Sequence, residues 1–336
     1  MQPSLIDASL RLLAPWAAEG VDAVTSLDPK QFLGIPLALV GAALLAFGAQ
    51  YQSRGLNKVE RIVGTSAGAG LSFGHIRKLL CRPSWVIGTL LLGLAVAFQI
   101  GSLSLSPLII VQPIGVVGLI ITSILNSRVS GVKLGKRVQS SIAIAVLGIV
   151  AFVTIAAFTA ADRPVTDRKL IVILVTFAVV FTAAIVLFLL FRHRGVAIIY
   201  IVGAGTLYGF VATFAKSVIG RLMQGEFEWL TWACVLALIA GALLGMVFVQ
   251  NAYSSGPPDL VVAGLTVIDP IVAVLIGIVV LDEAAGAPLW AVSVFIVSGA
   301  VAIAGVVGLA KFHPQTGLSA IAAKDPEPLQ STDPSD

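Results

Sequence analysis

The chain has 336 residues, of which 58% are hydrophobic and only 11% charged, with a mean hydropathy of +1.01. A soluble domain carries about 25% charged residues, so a bilayer rather than water must solvate these apolar faces. The formal net charge of +4 does not mark a nucleic-acid binder, because the basic residues are spread through short loops between apolar runs instead of forming one patch.

Residues 1–32 lack the basic start and unbroken apolar core of a signal peptide, and acids interrupt them. They read as an extracytoplasmic tail, amphipathic or loosely ordered. Apolar runs long enough to cross a bilayer then recur nine times, near 33–53, 84–102, 106–127, 139–160, 170–191, 196–219, 229–250, 258–281 and 288–311. Each has the roughly 20 residues that a membrane-spanning helix needs. Most connections are short, as expected between antiparallel neighbours in a bundle.

The exception is the loop from Arg54 to Ser84, which holds Arg54, Lys58, Arg61, Arg77, Lys78 and Arg82. Its GTSAGAGLSFG stretch lacks the Gly-Lys-Ser/Thr ending and the preceding strand of a phosphate-binding loop, and reads as a flexible connection. Placing this loop in the cytoplasm puts Arg128, Lys133, Lys136, Arg137, Arg192 and Arg194 there too. The opposite side keeps Arg11, Lys30, Arg163, Arg168, Lys169 and Arg221. The balance puts the N-terminus outside and the C-terminus in the cytoplasm of a plasma (inner) membrane. Trp85, Trp229, Trp232 and Trp290 fall near helix ends, at headgroup level. The polar, proline-rich residues 312–336 are expected to be disordered. Cys81 and Cys234 have no partner at metal-ligand spacing, so neither a zinc site nor a disulfide is expected.

The third and eighth apolar runs carry the same unusual dipeptide, Gln112-Pro113 and Asp269-Pro270. The second and seventh each end in a glutamine, Gln99 and Gln250, and the first and sixth are both glycine-rich. The fold expected is therefore all-α and polytopic: about nine transmembrane helices in two inverted four-helix repeats, 33–160 and 196–311. A connector over 161–195 joins them.

Asp269 lies near the middle of its run, where a carboxylate is costly. It reads as a coupling or substrate-binding group, with a structural cap on the backbone freed by Pro270 as the alternative. Gln112 offers a neutral hydrogen bond or packing contact. Pro113 and Pro270 are read as helix breaks that free carbonyls to line a cavity. Lys216 has two readings, pairing with Asp269 or snorkelling to the headgroups. Gln99, Gln250 and Asn251 are gate or capping residues near the interface, and Tyr208 and Tyr200 line the cavity or pack. Asp282-Glu283 sits on the outer rim, either solvated or as a cation-attracting vestibule.

From about residue 33 to 311 the chain resembles the drug/metabolite transporter superfamily, including its EamA-like members. Pro270, Gly277 and Asp282-Glu283 match the family's Pro…Gly…Glu helix. The first half keeps Pro113 but has Asn126-Ser127-Arg128 where the acid would stand. The nine-helix layout, the basic loop and the SPLIIVQPIG helix are most similar to the NIPA-like magnesium transporters. The second run, GLAVAFQIGSLSLSP, lacks the intramembrane glutamate of that branch.

The resemblance implies a gradient-driven secondary transporter of a small metabolite, drug or cation. Two other readings stand beside it: a NIPA-like divalent-cation transporter, and a non-transporting membrane subunit that presents a lipid-linked cell-envelope precursor. No enzyme is expected, since no catalytic constellation occurs at membrane depth. Neither a cofactor nor a resident metal is expected. Expected partners are membrane lipids and a small-molecule or ion substrate, with monomer and homodimer both open.

Overall fold

The computed structural model describes residues 31–63, 82–130, 135–191, 196–256 and 258–312. The expectations for the N-terminal tail, the glycine-rich part of the basic loop, Cys81 and the C-terminal tail fall outside them. The described residues form helices and no strand. In chain order these are α1 (Gln31–Val63), α2 (Pro83–Leu105), α3 (Leu108–Ser130), α4 (Lys136–Thr159), α5 (Asp167–Phe191), α6 (Ala197–Gln224), α7 (Trp229–Ser255), α8 (Pro258–Val279) and α9 (Leu289–Phe312). Each of these nine is long and apolar enough to cross a membrane.

Helices of this kind satisfy their backbone hydrogen bonds internally, as a bilayer core demands. Their outward faces are apolar as well. Leu90, Leu147, Val179, Leu236 and Ile296 are 65–68% exposed, a surface that lipid tails solvate and water would not. Trp229, Trp232 and Trp290 are exposed near helix ends, as an interfacial belt requires.

Two expectations about the helices need correction. The first helix runs on to Val63, so the first ten residues of the expected basic loop are helical. No proline stands between Arg54 and Val63 to stop it, and Arg54 folds back over the Tyr51 ring at 5.7 Å. The prolines do not break their helices either: α3 runs through Pro113 and α8 through Pro270. A proline removes one hydrogen bond, and each of these helices continues on both sides of the gap.

α1 packs on α2 and α3, while α6 packs on α7 and α8. α4 crosses α9, α3 meets α8, and α5 lies against α6 and α7. Phe177 of α5 fixes the last contact, standing edge-on to Phe214 at 5.1 Å and against Phe210 at 5.6 Å.

The α4–α9 crossing is drawn tight by glycines. A Cβ at Gly148 would strike the backbone of Ala302, and one at Gly305 the backbone of Ala145. These contacts exchange partners at one interval: 148 to 305, 145 to 302 and 113 to 270 are each 157 residues. Ser141 and Ser298 obey the same interval, and each hydroxyl donates to the carbonyl four residues before it.

Candidate functional site

Asp269 sits halfway along α8, ten residues from Val279. Around it α8 approaches α6 closely. A Cβ at Gly205 would lie 2.7 Å from Cβ of Ile268, and one at Gly209 would lie 3.0 Å from the Asp269 carbonyl oxygen. Tyr208, on the same stretch of α6, is within electrostatic reach of the carboxylate. Two buried side-chain oxygens among the described residues have no hydrogen-bond partner, Asp269 Oδ1 and Ser123 Oγ of α3. A buried carboxylate oxygen without a donor is costly. The capping alternative for Asp269 finds no bond to that oxygen.

Pro113 and Pro270 line one groove between α3, α4, α8 and α9, together with Val116, Ile149, Phe152 and Val306. Its lining is almost wholly carbon, so the prolines face an apolar groove where a polar cavity was expected.

Apart from Tyr208, the remaining polar candidates do not converge on Asp269. Leu108, at the start of α3, lies against Gly277, eight residues or about 12 Å along α8 from Asp269. Gln112 is one turn further into α3 and buried, still several ångström short of Asp269 in depth. Gln99 lies six residues before the end of α2, half-buried beside Gly41. Gln250 is exposed near the end of α7, at the opposite end of the bundle. Asn251 donates to the carbonyl of Val247 on its own helix. Tyr208 packs on Gly245 of α7, and Tyr200 stacks edge-on with Phe248 at 5.8 Å.

Lys216 corrects both of its expected roles. Its side chain is only 6% exposed and pairs with Asp162 of the α4–α5 loop at 2.9 Å. It also donates to the carbonyl oxygens of Ser106 at 2.7 Å and Leu103 at 3.1 Å. Those carbonyls close the C-terminus of α2, where a cation is favoured. The lysine is therefore neither Asp269's partner nor free in the headgroups.

Glu283 is the residue that the rim reading missed. Asp282 takes a left-handed conformation (φ 60°), and the Glu283 N–H bonds back to the Gly277 carbonyl at 3.0 Å. This C-terminal turn sends the next side chain inward. Glu283 is 1% exposed, and its two carboxyl oxygens accept the N–H groups of Leu108 and Ile109, each at 2.8 Å. It thus caps α3, the favoured place for an acid. Burial pushes the Glu283 carboxyl up from its ordinary pKa, against the downward pull of the Lys216 ammonium and the two N–H groups. Gly277 makes the room, since a Cβ there would lie 2.7 Å from Oε2 of Glu283. The glycine six residues before an acid at the end of an apolar run was the available signal.

Lys216 and Glu283 therefore grip both sides of the Ser106-Pro107 corner between α2 and α3. Lys169 pairs with Asp282 at 2.9 Å and holds the Leu281 carbonyl at 2.8 Å. Arg221, buried at the same end of α6, pairs with Asp167, Glu226 and Glu228. In the sequence Arg221 and Lys169 read only as topology signals, and Asp162 does not stand out.

Among the described residues these features define a polytopic membrane protein with an acid at membrane depth whose buried Oδ1 has no hydrogen-bond partner, and an ionic cluster at one end. An uncharacterised protein of Corynebacterium glutamicum is 26% identical to the chain over 259 residues, covering 76% of this chain and 86% of that protein. No family model matches the chain, and no solved structure matches it.

Proposed function

We propose that the chain is a gradient-driven secondary transporter working by alternating access, with Asp269 binding the coupling ion or a cationic part of the substrate. The buried Oδ1 of Asp269, which has no hydrogen-bond partner, carries this reading. A fold keeps such a group at membrane depth at a cost in stability, and intramembrane acids mark ion and substrate pathways. Its approach to α6 at Gly205 and Gly209 puts it where two helices can part.

Two inverted repeats, α1–α4 and α6–α9 with α5 as connector, complete the proposal. The matched packing of α1 on α2 and α3, and of α6 on α7 and α8, supports it. So does the reciprocal Gly148–Ala302 and Gly305–Ala145 contact, whose interval also relates Pro113 to Pro270. Such repeats allow two halves to rock about a central site. The orientation proposed keeps the Lys216 end outside and the C-terminus in the cytoplasm of the inner membrane. Lys and Arg are more numerous in the connections of the other side, over 54–82, 128–137 and 192–194, than at the Lys216 end, which is the bias expected of a cytoplasmic face.

The test is uptake into proteoliposomes carrying an imposed pH gradient, with ethidium as an organic cation and Mg2+ read by a trapped indicator. Gradient-dependent flux of either, lost in Asp269→Asn, is the expected result. Flux that Asp269→Asn leaves intact would remove Asp269 from the mechanism. Absence of any flux for these two cations would turn attention to the presenting-subunit reading.

A further inference from the structure

At the Lys216 end a cavity of about 310 Å³ opens between α2, α6 and the α4–α5 loop, lined in part by Ser104, Asp162, Arg163, Lys216, Gly220 and Gln224. A lysine ammonium has three N–H donors, and at Lys216 two of them make hydrogen bonds. They go to the carbonyls of Leu103 and Ser106, backbone groups at the buried end of α2 that have nowhere to move. The ammonium is also ion-paired with the Asp162 carboxylate at 2.9 Å, whose side chain is 39% exposed and stands on a loop. The buried cation is thus held by two fixed acceptors and one exchangeable counter-ion. Arg163, the next residue, is exposed, lines the same cavity and has no acid partner among the described residues. The nearby Glu283 carboxyl is engaged by Leu108 and Ile109 and does not compete for Arg163.

We infer that this cavity is an anion site: a carboxylate or phosphate group binds between Lys216 and Arg163 by taking the place of Asp162. Asp162 then acts as a tethered competitor that occupies Lys216 while the site is empty. A planar guanidinium beside an ammonium suits such oxyanions, the arginine gripping two oxygens and the lysine acting as a point charge. The cavity lies at the ends of membrane-spanning helices, so the oxyanion comes either from a dissolved acid or from the headgroup of an anionic lipid. This site lies apart from Asp269, and its occupancy is independent of whether the chain transports anything.

Titration calorimetry on the purified full chain in detergent tests it, with inorganic phosphate and with succinate as probes. Asp162→Asn removes the competitor and is expected to tighten binding about tenfold, the scale of one unit charge a few ångström away at a partly exposed site. Arg163→Gln is expected to weaken binding several-fold. Both positions are exposed, and a thermal unfolding curve for each variant verifies the fold. A second arm repeats the titration in nanodiscs of phosphatidylcholine with and without phosphatidylglycerol. Loss of solute binding only when phosphatidylglycerol is present identifies the lipid headgroup as the occupant, and undiminished binding identifies the solute. The inference is overturned if no probe binds saturably to the wild type or to Asp162→Asn. It is equally overturned if Asp162→Asn binds no more tightly than the wild type.

Discussion

Glu283 places a carboxyl oxygen where a methyl group at Gly277 would have to be, 2.7 Å from that position. The glycine and the acid therefore form one unit, although they lie on opposite sides of the helix end. The unit ties α8 to α3, because the same carboxyl group accepts hydrogen bonds from Leu108 and Ile109.

Gly277→Ala is expected to displace the carboxyl group and destabilise the fold by about 1–3 kcal/mol, the usual range for forced overpacking. Glu283→Ala leaves two buried N–H groups without an acceptor, at about 1–3 kcal/mol. In the double variant the added methyl meets no carboxyl oxygen, so the two losses should fall short of their sum by about 1 kcal/mol or more. Denaturation of the four proteins in one detergent measures this coupling. Simple additivity would mean that the two residues do not share the space.

Lys216→Met removes the only cation from the two carbonyls at the end of α2. The loss expected is about 2 kcal/mol, that of a charged donor serving buried acceptors. Asp162→Asn removes only the exposed partner and should cost less than about 1 kcal/mol. Thermal unfolding of both variants checks the order, and a larger loss in Asp162→Asn would contradict it.

Gly148→Ala and Gly305→Ala should destabilise alike, since each new methyl meets backbone atoms of a packed helix rather than a side chain that can turn away. The loss expected is about 1–3 kcal/mol for each. Yield of monodisperse protein, followed by thermal unfolding, compares them. A sharp difference between the two would count against a shared origin for the contacts.

Asp269→Leu is expected to make the protein more stable by about 1–3 kcal/mol, because it replaces a buried oxygen that has no donor. Thermal unfolding in detergent measures this directly. A lower unfolding temperature would mean that the carboxylate has a structural partner after all. Function and stability are thus expected to move in opposite directions at this residue.

The membrane-spanning runs were legible because their signal is local. Twenty apolar residues in a row have one physical solution, whatever they pack against. Asp269 stood out for a similar reason, as a charge in the middle of such a run. Gln99 and Gln250 looked equivalent by position in the repeat, yet they lie at opposite ends of the bundle, because helices that match in sequence can run in opposite directions. Lys216 and Glu283 were misread because both stand near helix ends, where solvation is the local expectation.

The sequence by itself thus determined the class of molecule, its helices to within a turn or so at most ends, and the single acid at mid-depth. Only the tertiary structure decided which polar groups meet. The partners of Lys216 lie 54, 110 and 113 residues away in the chain, and those of Glu283 lie 174 and 175 residues away. A hydrogen bond is made over about 3 Å and requires alignment. No periodicity in the sequence encodes that meeting, which depends on how the helices are placed against one another.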